Sequence, residues 1–132
     1  MNSLLIESAL VAAFASNFPG QTIYTGTSYS EITPESLNVI IAASDVEHVA
    51  GGLYKATVTV KVEGPALLGS SSKSSFSSAL NAVRSSLEKS YLTANWPSDG
   101  PTFAGVWIQS TKTSQDTHEW VADVQAIVGV SE

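Results

Sequence analysis

The chain has 132 residues, a hydrophobic fraction of 43% and a net charge of −6, which bounds it as one domain able to bury one core. Its six cations, Lys55, Lys61, Lys73, Arg84, Lys89 and Lys112, are scattered, whereas a grip on nucleic-acid phosphates draws on clustered Lys and Arg. With no cysteine, disulfides, thiolate catalysis, zinc–thiolate sites and iron–sulfur clusters are excluded together.

In chain order, the first element expected is a helix that Asn2 or Ser3 can cap, running to about Asn17, where Pro19-Gly20 stops it. Ile6, Leu10, Ala13 and Phe14 share one of its faces, and Ala9 and Ala12 are small enough for close packing on a sheet. The same segment reads "LLIESALVAAFAS" over residues 4–16 and holds a small-x-small pattern at Ala13-Phe14-Ala15. Residues 1–16 nevertheless carry no Lys or Arg, and Glu7 interrupts the apolar run, so no secretory signal is expected. No stretch is long enough to span a bilayer.

"QTIYT" (21–25) reads as a short strand, followed by a polar loop over 26–36. "LNVIIAAS" (37–44) is a near-continuous apolar run, the mark of a strand buried on both faces. A longish turn, "DVEHVAGG" (45–52), then leads into "GLYKATVTVKVEGP" (52–65). In that stretch Tyr54, Ala56, Val58, Val60 and Val62 point one way, and Lys55, Thr57, Thr59, Lys61 and Glu63 the other. That is a strand with one dry and one wet face, hairpinned to the one before it. The Ser-rich 69–75 reads as a linker becoming a helix start. Phe76, Leu80, Val83, Leu87 and Tyr91 then repeat at helical spacing. "NWPSDGP" (95–101) is a loop, and "FAGVWIQS" (103–110) and "HEWVADVQAIVGV" (118–130) are two strands joined by the polar "TKTSQDT". The order predicts an α+β fold: a mainly antiparallel sheet of about four to five strands with two helices on one face. One domain over 1–132 accounts for the chain.

Motifs that could carry chemistry are weak. "GPALLGSS" (64–71) has the Gly-x-x-x-x-Gly of a phosphate loop after a strand, but Ser70 stands where the phosphate-binding lysine belongs. A Gly/Ser linker is the better reading. His48 near Asp45 and Glu47, and His118 near Asp116 and Glu119, could converge on a metal if both turns met. Neither has paired ligand spacing, so solvated turns are expected and no metal or cofactor is assigned. No serine sits in a Gly-x-Ser-x-Gly turn, and no spacing fixes a carboxylate pair, so no catalytic residue and no enzymatic activity are expected. Trp107 and Trp120 lie on strands and are expected in the core. Trp96, in a loop, is a candidate interface anchor.

Taken in order, the opening helix, "TIYTG", "LNVIIAAS", "LYKATVTVKVEG", the amphipathic "FSSALNAVRSSL", "AGVWIQST" and "HEWVADVQAIV" resemble the small neck proteins of tailed phages, the tail-terminator or tail-completion family. The likeness is one of pattern and order across about the whole chain. It implies a structural virion protein, assembled in the host cytoplasm, that forms a homohexameric ring, caps the tail tube and meets the head–tail connector. DNA would pass through the lumen without being held, as an acidic balance permits, and no membrane is involved. Ring closure needs a head-to-tail interface between two different patches. The candidates are Tyr29 and Ile32 of loop 26–36, the wet-face residues Lys55, Thr57, Thr59 and Lys61, Lys73 of the Ser-rich segment, and Trp96. A neighbouring head-completion or connector protein fits the same pattern. From a different class, a secreted carbohydrate-binding module using Trp96, Trp107 and Trp120 stays open.

Overall fold

Strict alternation over the middle of the chain builds a sheet around which everything else is arranged. The computed structural model describes residues 3–18, 23–25, 38–63, 70–98, 101–114 and 119–129. Its elements are α1 (Ser3–Phe14), a 3-10 turn (Ala15–Asn17), β1 (Ile23–Thr25), β2 (Asn38–Ala50), β3 (Leu53–Glu63), α2 (Ser70–Ser86), α3 (Lys89–Asn95), β4 (Thr102–Ser114) and β5 (Glu119–Gly129). The five strands lie in the order β1-β2-β3-β5-β4. β3 occupies the centre, Val60 facing Ile41 of β2 on one side and Ala122 of β5 on the other, and Val62 facing Val39 and Trp120.

The apolar set of this alternation is the core. Val58, Val60 and Val62 pack with Val39, Ile41, Trp120, Ala122 and Val124, and α1 adds Ile6, Leu10, Ala13 and Phe14 to the same cluster. From α2 come Phe76, Ala79, Val83 and Leu87, and from α3 Leu92. All the helices therefore cover one face of the sheet. Each fully buried Val, Leu, Ile or Phe contributes roughly 1.5–3 kcal/mol relative to exposure, so the stripe of α1 alone anchors that helix.

The α+β class and the five-stranded sheet match the reading of the sequence, with several differences. The sheet is mixed rather than antiparallel throughout, because β1 runs parallel to β2, with Ile23 opposite Val39. The described residues form three α-helices rather than two, because the helix expected to continue through Tyr91 breaks after Ser86. Ser86 is buried, donates from Oγ to the Ala82 carbonyl at 2.8 Å and accepts from Asn17 Nδ2 at 2.8 Å. Such a back-bonded serine, tied to another element, bends the helix there, and Glu88 is extended (φ −82°, ψ 142°) before α3 begins.

At the other end of α2, Ser70 to Ser75 are helical rather than linker. With no Gly or Pro among them, the helix anchored by Phe76 propagates backwards through them. The expected turn at 45–52 is mostly strand: β2 continues to Ala50, and the reversal takes only Gly51 and Gly52, with Gly51 at φ 53°. β3 needs a partner along its length, and pairing overrides the polar composition of 45–50. The joining segment before β5 is likewise shorter than expected, since Thr111 to Ser114 stay in β4. Within α1, Ala12 is exposed while Ala9 packs inward.

Candidate functional site

The wet face of β3 belongs to a sheet surface that no described helix covers. Register places Lys55, Thr57, Thr59, Lys61 and Glu63 on it, beside Glu47, Asp45, Ala42, Ile40 and Asn38 of β2. On the other side stand Ile127, Gln125, Asp123, Val121 and Glu119 of β5. The polar groups satisfy one another along the rows. Lys61 Nζ reaches Glu63 at 2.7 Å and Glu119 at 3.5 Å. Thr57 Oγ1 donates to Gln125 Oε1 at 3.2 Å, Lys55 pairs with Glu47 at 3.7 Å, and Ser110 Oγ of β4 donates to Asp123 at 3.2 Å. Carboxylates outnumber ammonium groups on this surface, Asp45, Glu47, Glu63, Glu119 and Asp123 against Lys55, Lys61 and Lys112.

Four of the candidate residues, Lys55, Thr57, Thr59 and Lys61, thus form one continuous strip. Tyr29 and Ile32 lie outside the described residues, as do the phosphate-loop glycines at 64 and 69 and His118. Lys73 belongs to α2, on the opposite layer. Trp96 is half-buried: its indole N–H donates to the Pro101 carbonyl and its ring lies 5.0 Å from that of Phe103. Its apolar body closes the loop before β4 and walls a shallow pocket of about 230 Å³ with Pro97, Pro101 and Phe103.

The three tryptophans do not form one platform. Trp120 is buried under the helices, with the Arg84 guanidinium 5.8 Å above its ring, whereas Trp107 pairs across from Gln125 on the helix-free face and is 45% exposed. Trp107 therefore departs from the expected core position. Nor does His48 share a face with its acidic neighbours: it opposes Tyr54, at 5.2 Å between rings, while Glu47 opposes Lys55 on the other side. Among the described residues no three His, Asp or Glu side chains group as metal ligands, and no helix is long and apolar enough to cross a membrane.

Sequence reasoning missed the two sheet margins. β4 is an edge strand, and β1 covers only Val39, Ile40 and Ile41 of β2, so residues 42–50 of β2, paired with β3 on one side, have no strand on their other side among the described residues. Exposed apolar side chains collect at these margins: Trp107 and Ile108 on β4, Val49 on β2. The signal was present in "VWI", since consecutive apolar residues on a strand cannot all face one core. No model of a known protein family matches the chain, and no curated protein matches it.

Proposed function

We propose that this protein is a non-enzymatic, ring-forming structural subunit of the tailed-phage neck, a tail terminator that caps the tail tube and meets the head connector. The observation that carries the reading is the division of the sheet into one face sealed by helices and one broad face of Thr, Lys and carboxylate rows. That second face holds no group of three His, Asp or Glu side chains placed to ligate a metal among the described residues, and its polar side chains are largely satisfied by one another. Such a surface suits contact with a neighbouring subunit or a lumen rather than with a substrate. The reading rests also on the resemblance in sequence to the terminator family, and the acidic balance of the helix-free face suits a channel that does not retain DNA.

The test is the native mass by light scattering, with negative-stain images of the same sample alone and mixed with tail tubes. A six-fold ring, free or at one end of a tube, is the expected outcome. A strict monomer that ignores tubes overturns the assignment.

A further inference from the structure

Two backbone edges of the sheet are open among the described residues: β4 along its length, and β2 beyond Ile41. We infer that they pair with each other between copies, β4 of one subunit adding to residues 45–50 of β2 in the next, so that the sheet runs on through the assembly. The choice of a second copy as occupant rests on the ring-subunit reading above; the surfaces are new to it.

Strand direction permits the union. β2–β3, β3–β5 and β5–β4 are each antiparallel, so β4 runs opposite to β2. A neighbour related by rotation, with its helices on the same side, then offers its β2 edge antiparallel to β4. Because the two edges differ, the contact is head-to-tail, the type that closes into rings.

Side chains fix the register. Lys112 on β4 and Asp45 on β2 are both exposed on the helix-free face, opposite Val121 and Thr57 respectively, and neither forms an ion pair among the described residues. Setting Lys112 opposite Asp45 and counting along antiparallel strands brings Ile108 to Val49. These are 41% and 53% exposed as the chain stands. Each strand carries one register shift in that interval, between Ile108 and Ser110 and between His48 and Ala50, so the count stays matched. Bulges also bend and twist a strand, which suits a closing ring. Bulges and an edge lysine are equally devices that guard an edge against pairing; the exposed Trp107, Ile108 and Val49 argue against a guarded edge, and the test separates the two.

The chain has no cysteine of its own, so paired cysteines report contact cleanly. The full chain carrying Asp45→Cys with Lys112→Cys is oxidised and run on a non-reducing gel, beside each single variant and a control pair, Asp45→Cys with Lys89→Cys. Separately, Asp45→Lys and Lys112→Glu are assayed for assembly alone and together. Expected are a cross-linked ladder from the Asp45/Lys112 pair alone, assembly reduced several-fold by either charge reversal, and recovery when both are present. Rings seen by microscopy without that ladder overturn the edge pairing while leaving the ring reading intact. A monomer at every concentration with no ladder overturns both. A ladder from a protein that ignores tail tubes upholds the pairing and removes the neck assignment.

Discussion

Glu7 is the residue that looks most out of place in the sequence, an acid inside an apolar helix, and it is 5% exposed in the fold. Its Oε2 accepts the backbone N–H of Ala43 at 3.0 Å, next to the register shift in β2 between Ala43 and Asp45. A bulge disrupts the ladder locally, and a carboxylate delivered from α1 supplies an acceptor there. Glu7→Leu should cost about 1–3 kcal/mol, the range for a buried donor left unsatisfied, read as a lower urea midpoint at unchanged slope; an unaltered midpoint would show the bond to be idle. The tryptophans divide in the same assay. Trp120→Ala should cost about 3–5 kcal/mol by leaving a core cavity. Trp107→Ala should stay within about 0.5 kcal/mol, as a surface change does. Equal losses would contradict the placement of these two side chains on opposite faces.

At the scale of elements, the hairpin between β2 and β3 depends on Gly51, whose φ of 53° lies in the left-handed region. No atom would crowd an added Cβ there, so the penalty for substitution is conformational alone. Gly51→Val should cost about 1–2 kcal/mol, with Gly51→Asn milder because Asn tolerates that region; thermal melts of the two variants give the comparison, and equal melting temperatures would refute it. Helix packing depends on a different kind of joint. Tyr91 Oη of α3 donates to the Ala13 carbonyl at 2.8 Å, at the end of α1. Ser86 meanwhile ties the end of α2 to Asn17. The break between α2 and α3 thus lets two short helices follow the turn after α1, where one straight helix would leave it behind.

For the whole molecule, charge sets a condition on assembly. Copies carrying −6 each repel one another, and that repulsion reaches about 30 Å at 0.01 M salt but only about 8 Å at 0.15 M. A strand ladder is short-ranged and little affected, and the Lys112–Asp45 pair, exposed at a rim, serves register more than strength. The assembled fraction should therefore rise between these salt concentrations, measured by sedimentation at fixed protein concentration. A fall would mean that ion pairing, not backbone pairing, holds the copies together. Binding of one folded copy by another also stabilises both by mass action, so the melting temperature should climb with protein concentration.

Periodicity made the secondary structure legible from the chain alone. Val58, Val60 and Val62, the set from Trp120 to Val128, and the stripe from Ile6 to Phe14 all face the core as their spacing requires, because side-chain direction follows from backbone period. What spacing could not carry was decided by partners distant in sequence. Residues 45–50 look like a turn and are strand because β3 lies beside them. α2 stops at Ser86 because Asn17 meets it there. Which strands stand at the margins, and hence that Trp107, Ile108 and Val49 are exposed beside open edges, depends on the order β1-β2-β3-β5-β4. Strand order is set by long-range pairing, and a local pattern holds no record of it.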